Sequence, residues 1–209
     1  MRRNNGFTLI EISIVIVIIG LLIAGVIKGG SLIQSAKVSN AITLAQDISV
    51  AVNAFKQQYH MLPGDMSITT EFPSITDVAC KNGGNNNGLI EATESPCVPV
   101  VLFKAGLAKV DQDAGVPVFK SYYGPVSVKA SSTVAYYQTS ITAGTSPATT
   151  HVVEFANLPC EVAQEMDRKM DNDDLASGKA VADLTGIADP NNSSTCAAGS
   201  VVTTYAVAL

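Results

Sequence analysis

The chain has 209 residues, 47% of them hydrophobic and 15% charged, with a formal net charge of −5 at pH 7. That length accommodates one modest domain plus a single membrane-length segment. An acidic balance with no basic stripe argues against nucleic-acid binding as the main task, because phosphate neutralisation needs clustered lysine and arginine.

The first element runs from Met1 to Ile27: Arg2 and Arg3, then Gly6-Phe7-Thr8-Leu9-Ile10-Glu11, then an almost unbroken apolar run. At about 1.5 Å of rise per residue, Phe7 to Ile27 spans the roughly 30 Å hydrocarbon core of a bilayer. Arg2 and Arg3 put the amino end on the cytoplasmic side and everything after Lys28 on the other. A secretory signal peptide is one reading. Its apolar core is shorter than this run, though, and Gly29-Gly30-Ser31 is a weak substitute for its small-x-small cleavage site. A plain transmembrane anchor is the second reading, and it leaves Glu11 unexplained. A carboxylate in a bilayer-length helix costs about 2.5–3.5 kcal/mol on insertion scales. Something must compensate that cost, which marks Glu11 as a functional residue.

The third reading is a family one. Gly6-Phe7-Thr8-Leu9-Ile10-Glu11 ahead of an apolar helix closely resembles the prepilin signal shared by type IV pilins and the pseudopilins of type II secretion. The resemblance implies that a membrane prepilin peptidase cuts between Gly6 and Phe7 and methylates the new amino terminus at Phe7. It also implies that Glu11 is an assembly contact, paired with the amino terminus of a neighbouring subunit. Opposite charges attract far more strongly in a low-dielectric helix bundle than in water, so the physics agrees. Cleavage would remove two arginines from a chain already at −5. Many members carry a proline near the end of the membrane segment, where this chain has Lys28; Gly29 and Gly30 are the candidate helix weakness here.

From Ser31 the apolar positions become periodic. Val38, Ala41, Ala45, Ile48, Val52, Phe55, Tyr59 and Leu62 follow a three–four spacing, one stripe of an amphipathic helix. The spacing predicts a continuous helix from the membrane to about His60, ending before Leu62-Pro63-Gly64-Asp65. Residues 63–115 read as loop-rich. The Phe55-to-Tyr59 helix end, Leu62-Pro63-Gly64-Asp65, an Asn-Asn-Gly loop and Ala105-Gly106-Leu107 together resemble a subgroup of larger pilin-like proteins. Asn85, Asn87 and Glu94 overlay part of a calcium-loop pattern, with Gly83 where the first aspartate belongs. Calcium is the one cofactor this allows; otherwise none is expected. Asp171-Asn172-Asp173-Asp174 is a second oxygen-rich turn, read as a solvated helix-to-strand connection.

Four cysteines, Cys80, Cys97, Cys160 and Cys196, all follow the membrane segment. An even number in an exported domain reads as disulfides, with three possible pairings. The sequence-local solution, Cys80–Cys97 with Cys160–Cys196, is favoured, each bridge contributing about 3–4 kcal/mol in the chain-entropy model. Without a Cys-x-x-Cys spacing, zinc is disfavoured.

Val126–Ala130, Val134–Ile141 and His151–Phe155 mix alternation with β-branched and aromatic residues and read as strands. Gly144-Thr145-Ser146-Pro147 reads as the turn between the last two. Pro159–Met170 reads as a short helix with proline at its start and acidic residues in its first turns. Ser200–Leu209 reads as a final strand. A long helix followed by an antiparallel sheet is an α+β arrangement, and the resemblance implies a pilin-like fold with the helix packed on the sheet. The expected organisation is a cleaved leader at 1–6, a transmembrane helix at 7–27, its amphipathic continuation at 28–62, and a periplasmic or extracellular globular domain at 63–209.

The only histidines, His60 and His151, stand in no spacing that suggests a ligand pair or a triad, and the glycine-rich loop is neither a P-loop nor a dinucleotide fingerprint. No catalytic residue is nominated, and the chain is expected not to be an enzyme. The resemblance implies instead a structural subunit of a type IV pilus or related envelope filament. Its partners would be the prepilin peptidase, its own or other pilin subunits, and an inner-membrane assembly platform. It would sit in the inner membrane as a single pass and then in a periplasmic or cell-surface filament. A type II secretion pseudopilin acting in protein export shares the same signal and is the alternative. A membrane-anchored binding module that does not polymerise is the third reading.

Overall fold

A computed structural model describes residues 8–67, 75–77, 80, 83–189 and 192–209. The chain divides into two compact units, Met1–Ser39 and Asn40–Leu209, and helix α1, Leu9–Tyr59, runs through the boundary. From Leu9 to Val26 α1 is apolar apart from Glu11 and Ser13 and is exposed, with Leu9, Ile16, Leu21 and Val26 all open. It is long and apolar enough to cross a membrane. A helix suits that setting because all its backbone groups bond within the segment. It passes Gly29 and Gly30 without interruption.

In the second unit the predicted stripe turns inward: Ala41, Ala45, Ile48, Val52 and Phe55 are buried. Phe55 stacks on Tyr59 one turn later, with ring centroids 4.5 Å apart. The helix stops at His60, which adopts a left-handed φ of 57°, and Pro63 prevents resumption.

The segment read as loop-rich contains more structure than its composition suggests. Helix α2, Cys97–Lys104, buries Cys97, Val98, Pro99, Val100, Val101 and Leu102. Its β-branched residues and two prolines disguise it. However, Pro96 and Pro99 fall at the cap and in the first turn, where a missing N–H costs little. Strand β1, Asp111–Asp113, and strand β2, Val116–Lys120, follow as an antiparallel hairpin. Ala114 and Gly115 both take positive φ, 48° and 83°, the backbone pattern that joins twisted strands through two residues.

Strand β3, Pro125–Ala130, lies where expected. The predicted strand at Val134–Ile141 is instead helix α3, Ala135–Ala143. Aromatic and β-branched residues favour strands only when a pleated surface is available to pack them. Here Tyr137 joins Val134, Val152, Val181 and Ala206 in one buried cluster. The hydroxyls of Thr139 and Thr142 bond back to the carbonyls of Ala135 and Gln138, at 2.9 Å each, groups that the four-residue spacing of a helix brings within reach. Gly144, at φ 74°, is the left-handed C-cap of α3 rather than a turn between strands.

Strand β4 runs from His151 to Pro159, and helix α4, Cys160–Met170, follows directly. Strand β5 is Ala180–Ala182, β6 (Ala188–Asp189) pairs with β7 (Asn192–Cys196), and β8 is Val201–Ala208. Among the described residues the main sheet has six strands in the order β1-β2-β3-β4-β8-β5, every pairing antiparallel. The last strand is thus inserted between β4 and β5. Its register places Val153 opposite Val207 and Phe155 opposite Tyr205. α4 packs against β4, β5 and β8, burying Val162, Ala163, Met166 and Asp167. A long N-terminal apolar helix with an antiparallel sheet is the α+β class expected, in keeping with a pilin-like fold.

Candidate functional site

The first site is the start of α1. Gly6 and Phe7, the expected cleavage point and methylated residue, lie outside the described residues. Glu11 and its neighbour Thr8 are inside them. Thr8 is the cap and Glu11 the third helical residue, and the two satisfy each other reciprocally. The Thr8 N–H and hydroxyl both donate to Glu11 Oε2 at 2.8 Å, and the Glu11 N–H donates to Thr8 Oγ1 at 3.3 Å. This is a capping box: the side chains supply acceptors to backbone donors that a helix start leaves unpaired. The chain by itself therefore already offsets part of the cost of its carboxylate. The surrounding turn is open, Leu9 being 92% exposed and Ile10 66%.

The second site is the segment closed by the Cys80–Cys97 disulfide, whose Cα atoms are 4.6 Å apart. The other bridge is Cys160–Cys196, so the sequence-local pairing is the one observed. Asn85, Asn87 and Glu94 do come together, but their oxygens accept backbone N–H groups. Asn85 Oδ1 accepts from Asn87 at 2.9 Å and Asn87 Oδ1 from Leu89 at 2.8 Å. The Glu94 carboxylate accepts from Asn85 at 3.2 Å and Glu91 at 2.9 Å. Burial pushes the Glu94 carboxyl above the usual range, helped by the nearby charges of Asp65 and Glu91 and opposed by those two N–H bonds. Among the described residues no group of three or more His, Cys, Asp and Glu side chains is arranged to hold a metal ion.

Two organisers of this segment had no signal in the spacing. Buried Asp65, just past the end of α1, accepts from Asn87 N at 3.1 Å and Gly88 N at 2.7 Å. Gly84 packs so closely on the Asp65–Met66 backbone that any Cβ there would collide with it, which makes glycine obligatory. His151, at the start of β4, accepts the N–H of Ile90 on Nε2 at 3.1 Å.

The oxygen-rich turn after α4 is indeed a helix-to-strand connection. Asp171 accepts from the N–H groups of Lys179 and Ala180, and Asp174 Oδ1 from Ala176 N at 3.0 Å. Beneath it Asp167 is fully buried, accepting from Asp174 N at 2.8 Å and the Tyr205 hydroxyl at 3.4 Å. Burial raises its carboxyl to about 6, with Asp171 adding to the rise and the two hydrogen bonds opposing it.

A cleft of about 450 Å³ is lined by Pro96 and Pro99 at α2, Val116 and Val118 of β2, Lys129 of β3 and Glu154 of β4. The ladder between β2 and β3 stops after Phe119↔Val126, and Pro117 has no N–H with which to continue it. Lys129 and Glu154 pair with each other on the wall of the cleft.

Residues 1–27 match the family model for the prokaryotic N-terminal methylation motif, the prepilin-type signal of type IV pilins and pseudopilins. No curated protein and no solved structure matches the chain.

Proposed function

From the prepilin-type signal this chain carries, we propose that it is a structural, non-enzymatic subunit of a type IV pilus or related envelope filament. In this reading the prepilin peptidase cuts between Gly6 and Phe7 and methylates Phe7. The subunit then waits in the inner membrane as a single pass, with residues 63–209 on the far side. An assembly platform extracts it, and its apolar helix is reburied against those of neighbouring subunits, which offsets the loss of lipid contact. Glu11 sets the register by meeting a neighbour's amino terminus, exchanging its bonds to Thr8 for a charged partner.

The observation that carries the reading is the coincidence of the signal at residues 1–27 with a long exposed apolar helix whose start is closed by the reciprocal bonds of Thr8 and Glu11. The experiment is Glu11→Ala in the native host. The variant should insert and be cleaved normally yet enter fibres poorly; incorporation at wild-type levels would sink the assembly role. Isolating fibres in which this chain is the main protein supports the pilus, whereas a secretion defect without fibre loss moves the assignment to a type II secretion pseudopilin.

A further inference from the structure

We propose that His151 is an acid-released latch for the disulfide-closed segment 80–97: its neutral ring accepts the Ile90 N–H, and protonation of that ring breaks the bond. The geometry fixes the tautomer. A backbone N–H can only donate, so Nε2 must be the bare nitrogen, and the proton resides on Nδ1, 3.0 Å from Thr150 Oγ1. A second proton has no place to go but Nε2, where it would face the Ile90 N–H head on.

Ile90 is the point at which this segment enters the core. Its side chain is fully buried, and its carbonyl accepts the N–H of Ala130, at the end of β3, at 2.7 Å. Losing the N–H acceptor leaves a buried donor unpaired, the costly outcome for any hydrogen bond. The remaining side-chain anchors of the segment, Asp65 and Glu94, hold Asn85, Asn87, Gly88 and Glu91 but not Ile90.

The ring's surroundings favour the neutral form. His151 is 6% exposed, and burial pushes its pKa below 6.5; Lys56 of α1 acts in the same direction and Asp65 against it. Around the ring's own residue, Ala130 of β3 is the register partner, and the Thr149 hydroxyl and the N–H of Leu209, just past β8, both donate to the His151 carbonyl. Glu91 and Glu94 are the acids on the segment itself.

The sign follows from linkage. A released ring titrates near 6.5 and a latched one lower, so the released state gains protons first as pH falls. Its population rises by up to tenfold for each pH unit below 6.5, until the latched ring titrates too.

The test is amide hydrogen exchange on the full chain in detergent micelles between pH 7.5 and 5, corrected for intrinsic rates. Protection at Ile90 should fall by up to tenfold per pH unit, while Val153 and Phe155 in the sheet centre hold. His151→Gln keeps an acceptor but does not titrate, and should abolish the pH dependence. Unchanged protection in the wild type, or the same decline in the variant, overturns the latch. Should the variant fail to fold, NMR titration of the wild-type ring decides: a midpoint at or above 6.5 overturns it, and a depressed one supports it.

Discussion

Asp167 is a carboxylate the fold would rather keep protonated. Its folded pKa of about 6 lies above the ordinary 3.8, so its contribution to stability is full below 3.8 and is lost as pH rises through 6. Asp167→Asn should therefore raise stability at pH 7 by about 1–2 kcal/mol and flatten the denaturation midpoint between pH 4 and 6. A variant that is destabilised at pH 7 would show that the charge itself is needed. Tyr137 offers a second single-atom test. Its hydroxyl is buried and without a hydrogen-bond partner among the described residues, and burial raises its pKa to about 12. Tyr137→Phe removes an unsatisfied polar group at nearly constant volume, so urea denaturation should show it neutral to about 1 kcal/mol more stable. At the helix start, Thr8→Ala strips the reciprocal bonds with Glu11. It should cost about 1 kcal/mol, read as faster amide exchange over Leu9–Glu11 in micelles.

Among the elements, legibility tracked periodicity. α1 was readable because its stripe repeats over many turns and its end is marked by Pro63; α4 was readable from the proline at its start and the acidic residues in its first turns. α3 was not, because Tyr136, Tyr137, Thr139, Ile141 and Thr142 carry strand propensity, and only the buried cluster around Val152 and Ala206 makes a helix pay off. The β1–β2 hairpin hid behind Ala114-Gly115, a turn whose first residue is alanine and so gives no asparagine or aspartate signal. The site divides the same way. Glu11 stood out because a carboxylate in an apolar run is costly wherever it lies. Asp65 and His151 could not stand out, since each works by accepting a backbone N–H far away in sequence, 61 residues away for His151. The loop of Asn85, Asn87 and Glu94 yields one further expectation. With its oxygens already accepting N–H groups, its melting temperature in millimolar calcium should equal that in chelator; a rise with calcium would show that the turn rearranges to bind it.

At the scale of the whole molecule, two disulfides fasten the second unit. Cys160–Cys196 spans 36 residues and Cys80–Cys97 spans 17. Loop-closure entropy gives about 4 and about 3 kcal/mol respectively. Replacing the longer bridge with serines should lower the denaturation midpoint more than replacing the shorter one. The opposite order would mean that the 80–97 segment contributes through the structure it holds.

The position of β8 sets a timetable. Val201–Ala208 is made after every strand it joins, yet it fills the slot between β4 and β5. Until it emerges β5 has no partner in the sheet, and β4 shows an open edge of the kind that recruits foreign strands. All four cysteines precede it, so oxidation can begin while the sheet is still incomplete. Completion of the sheet thus waits on one late event, the arrival of β8 between β4 and β5.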